Sequence, residues 1–451
     1  VKQYEQAIHA IGKAACRRGI YEGNGISIKL SAIHPRYQRA ARKRVLTELY
    51  PRLLRLVELA HFYDIGINID AEESDRLDIS LDILEKLCFE KSLAGWNGIG
   101  FVVQAYQRRA LVVVDFLIDL ARRSERRLMV RLVKGAYWDS EIKKAQQDGL
   151  EDYPVFTRKA FTDVSYLACA KKLLTAPDAV FAQFATHNAH TVASIMAMAG
   201  SNYYRGQYEF QCLHGMGEPL YEEVIKPSTS AGYDRPCRIY APVGAHQTLL
   251  PYLVRRLLEN GANSSFVNQI HDASFDVKRL LADPVAFASR LDPIGSPHPR
   301  IVSPLCLYRQ DNHIARFAAL GIDLNNESRL ASLAVALWSS TQMQWQVAPL
   351  IAGQLPRQID SSTARAILNP ADCRDTVGLF VDATALDVQT ALEQAAQYRD
   401  VWHSTPLAER VGTLWRAADL IETQQQSLIA LIVREAGKTL SAAIGEVREA
   451  V

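Results

Sequence analysis

Between residues 24 and 265, short apolar runs alternate with longer segments whose hydrophobic residues recur at the helix period. The candidate strands are 25–31, 66–72, 99–105, 127–133, 180–185, 208–214 and 237–243. The candidate helices between them are 45–62, 79–89, 110–123, 158–175 and 190–199, with one more over 247–259. Leu46, Leu49, Leu53, Leu56 and Val57 trace the helical spacing most plainly. Alternation of this kind specifies a parallel sheet covered by helices, because parallel strands need a crossover along the sheet face. Seven strands can be read, and a closed barrel takes eight in roughly 250 residues. The fold class that follows is α/β: a (β/α)8 TIM-like barrel whose first strand lies upstream of residue 1, so that a helix over 3–18 succeeds it. An open doubly wound sheet is the alternative. The barrel is preferred because polar residues crowd the strand C-terminal ends, where barrel enzymes carry their chemistry.

Those ends form a series. Lys29 closes the first strand, where a lysine is costly unless paired or at a rim, and Asp70 closes the second, placed to pair with it. Gln104 ends the third. The fourth runs into Arg131-Leu132-Val133-Lys134-Gly135-Ala136-Tyr137-Trp138, where charges and two large rings gather at the end of a buried strand. The fifth ends in Ala185-Thr186-His187-Asn188-Ala189-His190. Two histidines three apart suggest metal ligation, but no acid or cysteine completes a set at ligand spacing, so no metal is assigned. His187 reads as a donor to an anion or cofactor ring, and His190 as the start of a helix. The sixth strand gives Cys212-Leu213-His214-Gly215-Met216-Gly217, too short a glycine pattern for a nucleotide fingerprint. The seventh carries Tyr240. Beyond it, Tyr252-Leu253-Val254-Arg255-Arg256-Leu257-Leu258-Glu259 sets two adjacent guanidiniums beside an apolar face. Arg255 and Arg256 suit a bidentate carboxylate clamp, against the plainer reading of surface ion pairs to Glu259. No Gly-x-Gly-x-x-Gly follows any strand.

A net charge of +2 supplies no global field for nucleic acid, and the basic runs 41–44 and 122–127 read as solvated helix ends. The seven cysteines are scattered without a Cys-x-x-Cys, as in a reducing compartment without disulfides or a zinc cage. No apolar run reaches membrane-spanning length, although contact with a membrane surface stays open. Residue 1 is a valine within an amphipathic pattern and Val451 stands mid-helix by composition, so the chain reads as a piece of a longer polypeptide.

Residues 305–351 read as mostly helical, with Asn326 placed to cap a helix over 328–350. Linker composition fills 352–366. Asn369-Pro370-Ala371-Asp372 then precedes a strand over 377–381 and two long helices over 383–399 and 406–436, the opening of another domain. Cys373 lies ahead of that strand.

The stretches 131–138, 69–73 and 252–259 together resemble the proline dehydrogenase family. The resemblance runs almost continuously over residues 1–300, including 27–37, 184–190 and 235–244, in the form where the module belongs to a bifunctional flavoenzyme. Residues 369–451 resemble the start of an aldehyde dehydrogenase, best at Glu435-Ala436-Gly437-Lys438-Thr439. The resemblance divides the chain into a flavin barrel over 1–275, a helical and linker region over 276–368, and a truncated aldehyde dehydrogenase segment over 369–451. It implies FAD at the strand C-termini and oxidation of L-proline to Δ1-pyrroline-5-carboxylate, with electrons passing to a membrane quinone. On it, Lys29, Arg255 and Arg256 hold the proline carboxylate, and Tyr137, Leu213, Tyr240 and Tyr252 wall the ring. Asp70 steadies Lys29 and the arginines, and Glu259 lies near the substrate amine. Arg131 sits by the hydride-accepting edge of the flavin and Trp138 stacks on it. Gln104, Val133, Lys134, Gly135, Ala185, Thr186, His187, Asn188, Cys212, Ser265 and Phe266 match cofactor contacts. The resemblance further implies a cytoplasmic protein, peripheral on the inner face of the membrane when it meets quinone, and compatible with a homo-oligomer. It gives this chain no DNA-binding region. NAD belongs to the complete bifunctional protein, since the second segment stops short of a catalytic cysteine.

Two other readings compete. A barrel lacking one strand exposes two sheet edges and would make a catalytically silent scaffold. A barrel aldolase would use Lys29 as a Schiff base.

Overall fold

A computed structural model describes residues 1–227, 229, 232–245, 247, 249–250, 252–254, 256, 282–309, 317–352, 359–360, 362 and 364–451. Two compact units divide the chain: Val1–Lys143 with Tyr153–Val302, and Lys144–Asp152 with Ser303–Val451.

The first unit is built on seven parallel strands, β1 (Ile26–Ile28), β2 (Ile67–Ile69), β3 (Ile99–Gln104), β4 (Leu128–Val133), β5 (Val180–Ala185), β6 (Tyr208–Leu213) and β7 (Cys237–Tyr240), in consecutive order. Helices separate them: α1 (Lys2–Ala15) precedes β1, and α2 (Tyr50–Tyr63), α3 (Leu77–Cys88), α4 (Ala110–Arg123), α5 (Trp138–Gln147), α6 (Lys159–Leu174), α7 (Ala189–Ala199) and α8 (Glu218–Ile225) follow. The spacing shows why: α4 buries Ala110, Val113, Val114, Leu117, Ile118 and Ala121, one stripe facing the strands.

The sheet is curled. Arg131 on β4 reaches Ser27 on β1, Asp70 beyond β2 and Gln211 on β6. In a flat sheet β1 and β6 would lie about 24 Å apart, beyond the span of one side chain. Arg238 on β7 donates to the carbonyls of Gly23 and Tyr21, just ahead of β1, and so ties the last strand to the first. The architecture is the expected TIM-like barrel, not an open doubly wound sheet.

Several boundaries differ from the sequence reading. The first, second and seventh strands are shorter, because Leu30–Ala32 turns into a 3-10 helix and the chain leaves the sheet after Ile69 and Tyr240. Helices α5 and α8 were not anticipated. The basic run 122–127 is not a solvated helix end throughout. Arg126 is buried and donates to the carbonyls of Cys88, Glu90, Leu93 and Trp96. Arg127 reaches Pro177 and Gly206, so two arginines bind together the barrel end remote from the strand C-termini.

In the second unit, α9 (Glu327–Thr341) is capped by Asn326, whose side chain accepts from the N–H groups of Ser328 and Arg329. It stops at Thr341, short of the expected 350, because β8 (Trp345–Val347) pairs in parallel with β10 (Asp372–Phe380), which pairs antiparallel with β9 (Arg365–Asn369). Region 305–351 is thus less helical than expected. Cys373 lies inside β10, not before it. The single long helix expected over 406–436 is two, α11 (Leu407–Thr423) and α12 (Gln425–Ala436). With α10 (Ala385–Ser404) and α13 (Leu440–Ala450) they complete the unit, whose core is Leu333, Ile429, Ala443, Ile444 and Val447.

Candidate active site

Arg131 occupies the middle of the barrel mouth, only 7% exposed. Its Nε donates to Gln211 Oε1 at 2.8 Å, Nη2 to Ser27 Oγ at 2.6 Å and Nη1 to Asp70 Oδ1 at 3.4 Å. Its guanidinium also lies 5.1 Å from the centre of the Tyr240 ring, within cation–π range. The barrel interior beneath it is polar rather than packed with aliphatics. Glu209, 3% exposed, accepts from Gln183, Gln211 and Arg238, and Asn68 donates to Gln183. Gly100 leaves room for Asn68, since a Cβ there would collide with its amide oxygen.

The expected pairing of Lys29 with Asp70 is corrected. Lys29 Nζ donates to the Tyr137 hydroxyl at 2.9 Å, while Asp70 takes Arg131. The cause is alternation: Asp70 shares the inward face with Asn68 and so meets the inward Arg131. Burial pulls the Lys29 ammonium down, but its bond to Tyr137 and the charges of Asp70 and Glu72 outweigh that, so it lies above its ordinary value. A raised lysine stays protonated, which disfavours the Schiff-base reading.

Tyr137 immediately precedes α5, and Trp138 begins it. Gly135 takes φ +133°, and the Tyr106 ring packs where a Cβ would stand, so glycine is required at this turn. The Trp138 indole N–H donates to the Phe156 carbonyl at 2.8 Å. Buried Glu141 on α5 accepts from the Ser74 N–H and hydroxyl, anchoring the helix beside β2.

In the same turn after β4, Lys134 pairs with Asp163, and burial holds its ammonium below the ordinary value despite that partner. Asn188 caps α7, accepting from the Thr191 N–H, and its own N–H donates to Thr186 Oγ1. His187 Nε2 accepts from the Leu213 N–H at 3.0 Å, and burial, with the charge of Arg256 behind it, pushes its pKa down to about 4. The ring is therefore neutral near pH 7 and carries its proton on Nδ1. Gln104 is buried and accepts from Gln107. Val133 and Ala185 offer main-chain carbonyls, taken by the Ala105 N–H and the Tyr166 hydroxyl. The Cys212 thiol packs in the apolar layer, 3.7 Å from the Cys237 thiol, so the side chain does not face the mouth.

Tyr240 and Leu213 are half-buried at the rim. Burial, then the charge of Asp70, pushes the Tyr240 hydroxyl up. Arg256 lies 5.3 Å from the Tyr252 ring centre. Arg255, Glu259, Ser265 and Phe266 lie outside the described residues, as do 248, 251, 257 and 258 of the helix expected over 247–259. Among the described residues, no group of three or more His, Cys, Asp or Glu is gathered to hold a metal ion.

Sequence reasoning missed Ser27, Asn68, Gln183, Glu209, Gln211 and Arg238, which lie inside the strands rather than at their ends. The signal was strict alternation in Tyr208-Glu209-Phe210-Gln211-Cys212. It also missed Tyr4 on α1, whose hydroxyl accepts from the Lys29 N–H at 3.0 Å.

Comparison with known proteins gives two family matches, "Proline dehydrogenase" over residues 1–269 and "Aldehyde dehydrogenase family" over residues 358–451. The chain is 62% identical to the bifunctional protein PutA of Escherichia coli (strain K12), over 99% of this chain and 34% of that protein. It is 54% identical to the bifunctional protein PutA of Rhizobium meliloti, over 100% of this chain and 35% of that one. The chain thus spans about a third of the length of these curated relatives. Among solved structures, proline utilization A of Bradyrhizobium japonicum superposes with a TM-score of 0.82 at 43% identity, covering 99% of this chain and 40% of that chain. The Bdellovibrio bacteriovorus protein, inactivated by N-propargylglycine, gives 0.83 at 27% identity, over 99% and 46%.

Proposed function

Because the chain belongs to the proline dehydrogenase family, we propose that its barrel holds FAD at the strand C-terminal ends and oxidises L-proline to Δ1-pyrroline-5-carboxylate, with a quinone as final electron acceptor. The observation that carries the reading is the cluster at the mouth: Arg131 fixed by Asp70, Ser27 and Gln211 beneath the Tyr240 ring, with Lys29 held by Tyr137.

The donor set fits a flavin dinucleotide. A fixed guanidinium favours a ring system that gains negative charge, and the N-terminus of α7 with the Nδ1–H of neutral His187 suits a polar or anionic tail. Lys134, Thr186, Asn188, Gln104, Trp138 and the main chain at Val133, Gly135, Ala185 and Cys212 would hold it, with Ser265 and Phe266. FAD, when bound, supplies the acceptor for the hydride leaving the carbon beside the proline nitrogen.

The chain's own residues bind and orient. Lys29, kept protonated, and Arg256 with Arg255 would take the substrate carboxylate. Tyr137, Leu213, Tyr240 and Tyr252 would wall the apolar ring and exclude water. Glu259 would sit toward the amine. Asp70, Ser27 and Gln211 together hold Arg131 in one pose, so no reorganisation is needed when charge develops. Among the described residues no helix is long and apolar enough to cross a membrane, so a membrane quinone would be met peripherally. A second, NAD-dependent oxidation, and any oligomer, belong to the whole protein.

The test is dye reduction by the purified chain with L-proline and with D-proline. L-proline-dependent reduction supports the reading; equal rates with neither or both enantiomers would contradict it.

A further inference from the structure

The strand interior contains a hydrogen-bonded chain that the assignment of rim residues leaves unused. Glu209 Oε1 accepts from Gln211 Nε2 at 2.7 Å, and Gln211 Oε1 accepts in turn from Arg131 Nε at 2.8 Å. Behind Glu209, Arg238 donates through Nε at 2.9 Å and Nη2 at 3.1 Å, and Gln183 through Nε2 at 2.9 Å.

The chemistry of the groups gives this chain a direction. A primary amide has one accepting and one donating end, and a rotation of its plane exchanges them. An ionised carboxylate only accepts. Glu209 therefore holds the NH2 of Gln211 toward itself and leaves only the oxygen facing Arg131. A guanidinium only donates, so this is the one amide orientation that binds it. Burial raises the stakes, because Glu209 and Gln211 are each 3% exposed and water cannot substitute for a lost partner.

We propose that Glu209 is a positioning residue which, by fixing the orientation of the Gln211 amide, locks the Arg131 guanidinium in its pose at the barrel mouth. The functional consequence rests on the reading that Arg131 lies beside FAD. A locked cation favours the reduced cofactor, whereas a mobile one is averaged over poses.

Two variants separate this role from simple structural support. Glu209→Gln offers the Gln211 oxygen a competing donor, which allows the amide to turn its NH2 toward Arg131. Gln211→Met removes the relay but leaves the Glu209–Arg238 pair intact, so it serves even if Glu209→Gln does not fold. The first readout needs no cofactor chemistry: the proton-exchange rate of the Arg131 Nε–H, followed by nitrogen-15 NMR. It is expected to rise at least tenfold in both variants. The second is the oxidised-to-reduced equilibrium of bound flavin, expected to move tenfold toward the oxidised form (~30 mV for a two-electron couple), with kcat falling more than KM rises. Unchanged Arg131 exchange in either folded variant would overturn the proposal. Flavin-free wild-type protein would instead count against the functional reading, while the exchange measurement still decides the role of Glu209.

Discussion

Asp70 Oδ1 stands 3.4 Å from Arg131 Nη1 across the barrel mouth, joining the end of β2 to the middle of β4. The contact is long for a charge-assisted bond, and Arg131 also has Ser27 and Gln211. Asp70→Asn is accordingly expected to keep the fold and bound flavin but to lower kcat/KM for proline roughly tenfold, the kinetic equivalent of about 1.4 kcal/mol. Steady-state kinetics beside the flavin content of the purified variant checks this.

Tyr137 supplies the hydroxyl that holds Lys29 Nζ. Tyr137→Phe keeps the ring wall and deletes that acceptor. A hydrogen bond to a charged group contributes about 1.5–3 kcal/mol, so KM for proline should rise roughly tenfold or more. The spectrum of bound flavin should not change. A raised KM with normal flavin content locates the effect at the substrate side.

His187 sets a pH window. Its folded-state pKa is about 4, below the ordinary 6.5. Between those values the unfolded chain binds the extra proton, so stability rises with pH. The contribution is therefore whole above pH 6.5, declines as pH falls toward 4, and changes no further below that. Denaturant midpoints for His187→Gln should lose part of the wild-type slope between pH 6.5 and 4.

Arg434 anchors the second unit. It pairs through two nitrogens with Asp375 and also donates to the carbonyls of Ser340, Met343 and Thr376. Arg434 is buried while Asp375 is partly exposed, so its removal costs less than the loss of a partner from a fully buried pair but leaves three carbonyls without their donor. Arg434→Ala should therefore release α12 and β10 to hydrogen exchange well before the barrel. The Arg434 guanidinium holds the Asp375 carboxyl down to about 2, so this contribution is whole above pH 3.8 and lost between 3.8 and 2.

The barrel was legible because β2 to β6 are buried on both faces and read as short apolar runs between helix-period segments. The rim was legible at Lys29, Asp70, Arg131 and Tyr137, since polar groups closing apolar strands have few structural uses. Partner choice was not. Lys29 was expected to meet Asp70, but curvature and inward alternation gave Asp70 to Arg131 and left Lys29 to a tyrosine from the turn after β4. Arg126 misled because a charged residue at a helix end ordinarily faces water, and only the fold shows four carbonyls converging on it. In the second unit, α9 ends at Thr341 because β8 is claimed by a strand some thirty residues later, a long-range pairing invisible to local periodicity.

Anaerobic addition of L-proline to the purified chain, followed by visible absorption, tests the central claim most directly. Flavin bands present before addition, and bleached by L-proline in wild type but only at much higher concentration in Tyr137→Phe, are the expected result. A protein that carries flavin and keeps its bands unchanged in saturating L-proline would contradict it.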